Sequence, residues 1–211
     1  MRKIKLIFIT VFLMQLFTSC DKTKKSEKAD LFKNTIANNL GRNLSIPEDL
    51  KLYKPFPPYA SDSTSIAASE FKLYTRINTS CSSCMEKISQ WEDFARNIRD
   101  FNVVLILVCE SKDNFEFLKY NCESGSIKNF PFPFFLDEKT KYTAENSFMA
   151  VSPHFETVLT DVNNKILLIG NPISSEKTYG IYINELQVLS KQRVKSTILP
   201  TSYIGTKAKK K

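Results

Sequence analysis

The chain has 211 residues, of which 42% are hydrophobic and 12% aromatic, and it contains only five glycines. This length suits one domain with appendages, and the aromatic content excludes a disordered or collagen-like protein. The net charge of +8 is concentrated at the ends, because seven Lys and Arg residues occupy the first five and last five positions. The body of the chain is nearly neutral and shows no cluster of basic residues, so we expect no nucleic-acid partner.

The first twenty residues predict export from the cytoplasm. A basic start is followed by a mostly apolar run over residues 6–17, and Thr18 and Ser19 lead into Cys20. This order is typical of an export signal, and the run is shorter than the ~20 apolar residues of a membrane span. Residues 16–20 resemble the lipobox of bacterial lipoproteins, which implies a signal peptide over residues 1–19 and acylation of Cys20, for example with palmitate. An ordinary secretory signal is the alternative.

Four further segments are expected after the signal peptide. Residues 20–32 are rich in charged side chains and are interpreted as a polar tether behind the lipid anchor. Residues 33–69 form an N-terminal extension, with a short helix ending near Gly41 and, among several prolines, at most a short strand near residues 51–53. Residues 70–200 form the main domain. Residues 201–211 are a lysine-rich tail that we expect to be solvated.

The main domain alternates strand and helix patterns. The apolar run over residues 103–108 is typical of a central strand covered on both faces. Asn163 and Asn164 tolerate the left-handed backbone of a hairpin turn. Together the patterns predict a three-layer α/β domain with a parallel core and an antiparallel edge. The predicted elements are a strand at 71–77, a cap at 78–80, a helix at 84–98, the strand at 103–108, a helix at 112–120, strands at 132–136, 155–161 and 165–169, and a helix at 179–194.

Cys81 and Cys84 lie where the first strand of this domain ends and the helix begins. The unpaired N–H groups and the dipole of a helix start stabilise a thiolate, so we expect a lowered pKa at Cys81. Cys84 lies one turn further along, from which its sulfur can close a disulfide with Cys81. This arrangement predicts Cys81 as the nucleophile in disulfide exchange and Cys84 as the resolving thiol.

Other interpretations of the cysteines remain open at this point. A zinc or copper site would need further ligands, but Cys109, Cys122 and His154 are scattered along the sequence, so we predict no metal. The Cys81–Cys84 pair could also stay oxidised as a fixed disulfide on a binding scaffold. Cys109 and Cys122 are compatible with a structural disulfide or with two inert buried thiols.

Residues 70–170 resemble a thioredoxin-like domain of the extracytoplasmic TlpA-like branch. The resemblance rests on the CSSC motif, on the FPFFLD segment at residues 132–137, and on TVLTD followed by NNKI at residues 157–166. It implies a thioredoxin-like three-layer α/β/α fold with a mixed central sheet. It also implies thiol–disulfide exchange with protein dithiols or disulfides and no bound cofactor.

The resemblance further implies a loop opposite the two cysteines, for which Ser152, Pro153 and His154 are the candidates. The chain departs from the family at two places in this region. The family's cis-proline position falls on Phe155, and Thr75 or Arg76 stands where thioredoxins bury a carboxylate. The predicted function is therefore that of a membrane-anchored, extracytoplasmic thiol–disulfide oxidoreductase. A non-catalytic lipoprotein that uses the same fold as a binding scaffold is the alternative.

Overall fold

The computed structural model describes residues 19–56, 66, 69–128, 130 and 132–198. The chain divides into two compact units, with the boundary after Gly41. The first unit contains helix α1, Ser19–Asn39. Its end confirms the helix predicted to stop near Gly41, and residues 20–32, interpreted as a tether, are helical within it. The predicted signal peptide lies outside the described residues, except for Ser19.

The second unit is built on a six-stranded mixed sheet with the strand order β1-β4-β3-β2-β5-β6. Strands β2, β3 and β4 are parallel, whereas β1 pairs antiparallel with β4, and β5 is antiparallel to both β2 and β6. The strands are β1 Lys51–Tyr53, β2 Phe71–Asn78, β3 Val103–Glu110, β4 Phe134–Leu136, β5 Thr157–Asp161 and β6 Ile166–Ile169. The predicted parallel core with antiparallel edges is confirmed.

Five α-helices follow in the described part of this unit: α2 Ser82–Met85, α3 Ile88–Ile98, α4 Glu116–Glu123, α5 Lys141–Glu145 and α6 Glu176–Ile198. Short 3-10 segments cover Arg99–Phe101, Ser147–Val151, Pro153–Phe155 and Pro172–Ser174. None of the helices in the described ranges combines the length and the apolar character needed to cross a membrane.

The sheet is covered on both faces, which gives the three layers. Side chains alternate between faces along a strand, so Leu105 and Leu107 of β3 join a core cluster that also holds apolar residues of α3, α4 and α6. The opposite face is covered by α5, where the ring of Tyr142 lies 6.5 Å from that of Tyr74 in β2. The architecture is therefore the expected three-layer α/β/α arrangement with a mixed central sheet.

Two predicted helices differ from the observed ones. The helix expected over residues 84–98 is interrupted at residues 86–87, so Cys84 lies on a separate single turn, α2, which Cys81 directly precedes. The turn expected at residues 78–80 is present, with the amide of Ser80 donating to Asn78 Oδ1, but the expected N-cap there is wrong because Cys81 is the residue that precedes α2. The helix predicted from residue 112 begins only at Glu116, because Asn114 and Phe115 adopt left-handed backbone conformations, with φ of 54° and 65°.

The antiparallel hairpin agrees with its prediction more closely. Asn164 has a φ of 61°, and its amide donates to the carbonyl of Asp161 at 3.1 Å. Strand β5 starts at Thr157, two residues later than predicted, because Phe155 ends a 3-10 turn. The final helix is longer than the predicted 179–194 at both ends.

Candidate active site

The cysteine motif lies at the edge of the sheet where the parallel strands β2 and β3 end. Strand β5 runs antiparallel to β2 and therefore begins at this same edge. Cys81 follows β2 by three residues and directly precedes α2. Three chain segments, the β2–α2 turn, the β3–α4 loop and the entry to β5, thus converge around the two cysteines.

The turn before Cys81 is held by hydrogen bonds to the end of β3 and the loop that follows it. Thr79 donates twice to the carbonyl of Glu110, through its amide at 2.9 Å and its hydroxyl at 3.1 Å. The hydroxyl of Ser80 donates to Asp113 Oδ1 at 3.0 Å and accepts from the amide of Lys112 at 2.8 Å. Cys81 is therefore positioned by strand ends, with no side-chain cap on α2 itself.

Cys81 is partly exposed, and its sulfur lies 3.2 Å from Ser83 Oγ. Hydrogen bonds from the side chains of Cys84 and Ser83, followed by those from their backbone N–H groups, lower the pKa of the Cys81 thiol below its usual value. The predicted direction at Cys81 is therefore right. Its main cause differs, because side-chain donors outweigh the N–H groups of a helix that is only one turn long.

Cys84 has the opposite electrostatics. Burial is the main cause that raises the pKa of Cys84 to about 11, and the hydrogen bond to Cys81 and the negative charges of Cys81 and Glu156 add to it. Cys84 therefore stays protonated while it stabilises a thiolate at Cys81. The pair therefore combines one thiol that ionises more readily than usual with one that ionises less readily.

A cluster of three charged residues, Arg76, Glu110 and Glu156, lies at the same edge. Arg76 Nε donates to Glu110 Oε2 at 2.7 Å, and Nη1 donates to Glu156 Oε1. The three side chains are only 21%, 10% and 27% exposed. Thr143 in α5 donates to the second oxygen of Glu110. Arg76 lies in β2, the strand before the motif. The two carboxylates that it contacts belong to Glu110, at the end of β3, and to Glu156, just before β5.

Glu156 is the member of this cluster that interacts with the motif. Its negative charge raises the pKa of Cys84. Burial raises the pKa of Glu156 itself, opposed by Arg76 and Lys87 and reinforced by Glu110. Sequence reasoning missed Glu156, because the partner that fixes it, Arg76, is 80 residues away in the chain. The available signal was Arg76 itself, a charged residue near the end of the largely buried strand β2.

The loop predicted to face the cysteines leads into Glu156. Ser152 is buried and accepts a hydrogen bond from the amide of His154, whereas Pro153 and His154 are exposed on the 3-10 turn. Pro153 lies four residues before the first residue of β5, and His154, Phe155 and Glu156 stand between. The facing role of Ser152, Pro153 and His154 stays a prediction.

None of the remaining cysteines belongs to the motif, although Cys109 directly precedes Glu110 in β3. Cys109 and Cys122 are free thiols buried in the core cluster. Cys20 falls within α1, and its side chain is not among those described. Within the ranges that the structure covers, no group of three or more His, Cys, Asp and Glu side chains is arranged to hold a metal ion.

A cleft of about 300 Å³ adjoins the motif. Its walls include Met85, the last residue of α2, and the first turn of α3. Ile127 and Phe130, from the segment after α4, also line it. Glu86 and Lys128 contribute charged groups to the lining. The cleft is therefore a concave surface next to α2, and neither Cys81 nor Cys84 is among its lining residues.

No protein-family model matches the chain, and no curated protein matches it. Many solved structures are similar to it, and three serve as examples. A putative protein disulfide isomerase from Bacteroides thetaiotaomicron is 14% identical, with a TM-score of 0.48 over 72% of this chain and 90% of the other. The thioredoxin domain of a thiol-disulfide oxidoreductase from Bacteroides vulgatus is 12% identical, with a TM-score of 0.47 over 70% and 97%.

The third is a putative thiol:disulfide interchange protein DsbE from Chlorobium tepidum. It is 15% identical, with a TM-score of 0.45 over 70% of this chain and 99% of the other. At such identities and TM-scores these likenesses carry no argument about activity. The chemistry that the site can perform follows from the geometry and electrostatics of the two cysteines.

Proposed function

We propose that the protein is a thiol–disulfide oxidoreductase that exchanges disulfides with protein partners through Cys81 and Cys84. The strongest support is that the pKa of the Cys81 thiol is lowered while that of Cys84, three residues further along, is raised. A fixed structural disulfide gains nothing from such an asymmetry, whereas exchange requires one thiolate and one reserve thiol. The partial exposure of Cys81 gives a partner access to it.

The exchange proceeds in two balanced steps. In the first, the Cys81 thiolate attacks one sulfur of a partner disulfide, a mixed disulfide forms, and the other partner sulfur leaves as a thiolate. In the second, Cys84 loses its proton and attacks Cys81, and the remaining partner sulfur leaves with its electron pair. The partner is reduced by two electrons and the protein is oxidised by two, and a donor dithiol restores the starting state.

The proposed setting is outside the cytoplasm, with the chain attached to a membrane by acyl groups on Cys20. This part rests on the lipobox-like residues 16–20 and on the signal pattern before them. Metabolic labelling with palmitate tests it directly. We expect labelled protein from the wild-type gene and none from Cys20→Ala, and labelling that survives Cys20→Ala contradicts the anchor.

A binding scaffold is the second candidate, because Phe155, which is 2% exposed, occupies the place of the family's cis-proline. A redox titration of the full chain distinguishes the two functions. Free thiols are trapped at each potential and assigned by mass spectrometry. Exchange predicts a reversible two-electron couple at Cys81 and Cys84, lost in Cys81→Ser and kept in the matched control Cys122→Ser. A pair that resists reduction until the protein unfolds supports the scaffold.

A further inference from the structure

The residue before Cys81 ties the turn at residues 78–81, the motif turn, to the loop between β3 and α4. Within the turn, the amide of Cys81 donates to the carbonyl of Asn78 at 3.3 Å, and the amide of Ser80 donates to Asn78 Oδ1 at 3.1 Å. The hydroxyl of Ser80 reaches outward, where it accepts from the amide of Lys112 and donates to Asp113 Oδ1. A side chain of a separate loop therefore holds the backbone next to the reactive sulfur.

Asp113 uses its two carboxylate oxygens for two different elements. Oδ1 accepts from the hydroxyls of Ser80, at 3.0 Å, and of Ser111. Oδ2 accepts from the amide of Phe117, in the first turn of α4, at 3.2 Å. The hydrogen bond from Ser111 is the main cause that lowers the pKa of Asp113, so the carboxylate is ionised at neutral pH. One anionic group thus joins the motif turn to the start of α4.

The loop that carries Asp113 has an unusual backbone. Asn114 and Phe115 have φ of 54° and 65°, and left-handed backbone is rare for a side chain as bulky as that of Phe. Ser111 fixes this conformation, because its hydroxyl accepts from the amides of Asp113 at 3.0 Å and Phe115 at 2.9 Å. Strained backbone persists where its surroundings fix it, and it is concentrated at functional sites. Here it accompanies the contact between Asp113 and Ser80.

We propose that Asp113 is a positioning residue for Cys81 and acts through the hydroxyl of Ser80. The Cys81 sulfur lies 3.2 Å from Ser83 Oγ, and donors on α2 stabilise its thiolate. Hydrogen bonds weaken steeply when they are misaligned, so this stabilisation requires Cys81 to keep its place at the start of α2. The contact between Asp113 and Ser80 fixes that place from the side of α4. This inference deepens the proposed function and rests on it.

A role of Asp113 through its charge alone predicts the opposite result. A carboxylate near a thiol opposes ionisation of the thiol, so removing the charge would favour the Cys81 thiolate. If Asp113 positions Cys81, its removal misaligns the donors and disfavours the thiolate. The direction of the effect of Asp113→Ala on the pKa of Cys81 therefore separates the two roles.

The experiment measures alkylation of Cys81 by iodoacetamide against pH in the reduced full chain, with the Cys81 peptide quantified by mass spectrometry. In both Asp113→Ala and Ser80→Ala we expect the pH midpoint to rise. The rate at pH 7 should fall about threefold to tenfold, the size of the net contribution of one hydrogen bond. Ser80→Thr keeps the hydroxyl and should restore the wild-type midpoint.

Asp137→Ala is the matched control for the loss of a helix cap. The oxygens of Asp137 accept from the amides of Lys141 at 3.1 Å and Tyr142 at 2.7 Å, at the start of α5. In the part of the chain that the structure describes, none of its hydrogen bonds reaches the motif turn. Urea denaturation should show a loss of stability in both Asp113→Ala and Asp137→Ala, whereas the Cys81 midpoint should move only in the first.

A Cys81 midpoint that is unchanged or lowered in Asp113→Ala overturns the inference, and so does an equal rise in Asp137→Ala. An effect of Asp113→Ala without one in Ser80→Ala also overturns it, because the proposed path runs through that hydroxyl. If Asp113→Ala does not fold, Ser80→Ala decides by the same criterion, with Ser80→Thr as the rescue. Failure of the proposed function is distinct, because the wild-type pair then shows no reversible couple in the redox titration.

Discussion

The protein holds two pairs of thiols in different surroundings, one at the edge of the sheet and one in the core. Cys81 and Cys84 share a hydrogen bond, and the pKa values of the two thiols move apart. Cys109 and Cys122 lie among apolar side chains, and burial raises the pKa of both, that of Cys122 to about 12. Burial alone keeps a thiol inert, and donors placed around one sulfur make it a nucleophile.

The largest expected difference between the two pairs is in alkylation rate. In the reduced, folded protein, Cys81 should react with iodoacetamide at least ~10³-fold faster than Cys109, because only the accessible thiolate is nucleophilic. Quenched time points analysed by mass spectrometry of the cysteine peptides measure both rates in one sample. An alkylation rate at Cys109 comparable to that at Cys81 would mean that the core opens readily, and would contradict the predicted difference between the two pairs.

The same pairs should differ in what a serine substitution does to stability. Cys109→Ser places a hydroxyl on a fully buried position of β3 and should lower the free energy of unfolding by about 1–3 kcal/mol. Cys81→Ser, at a partly exposed turn, should change it by less than about 0.5 kcal/mol. Urea denaturation of both variants under reducing conditions gives the two values. Equal losses would show that the motif also supports the fold.

The smallest expected effect comes from removing one hydrogen-bond donor beside Cys81, the hydroxyl of Ser83. Ser83→Ala removes the hydroxyl that lies 3.2 Å from the Cys81 sulfur, so the pKa of Cys81 should rise. The alkylation rate of Cys81 at pH 7 should then fall by less than about tenfold, because water partly replaces the donor at an exposed site. Rates measured against pH should show the midpoint moved upward. Ser82→Ala is the matched control, and an equal effect there would exclude a specific role of Ser83.

The elements that the sequence predicts best are those fixed by local patterns. The run at residues 103–108 forms the strand β3, which is buried on both faces, because only apolar side chains suit a position between two layers. The turn at Asn164 follows from its tolerance of a positive φ. The single-turn α2 was not predicted, since the apolar spacing continues unbroken from Cys84 to Ile98.

The part of the site that could not be predicted depends on long-range pairing. Arg76 is joined to Glu110 and Glu156 over 34 and 80 residues. Neither carboxylate lies in a recognisable motif, and the strand order that brings them to Arg76 is a property of the whole sheet. The start of α4 likewise depends on Asn114 and Phe115. Their backbones adopt left-handed conformations that no simple sequence pattern specifies.

In the motif, the residues that hold the backbone before Cys81 are different from the residues that lie between the two sulfurs. Thr79 and Ser80 carry the bonds to Glu110 and Asp113, while Ser82 and Ser83 between the cysteines are exposed. Replacing this dipeptide therefore alters the chemistry of the sulfurs without removing the contacts that hold the backbone in place. One scaffold can in this way carry a graded series of reduction potentials, tuned at two solvent-facing positions.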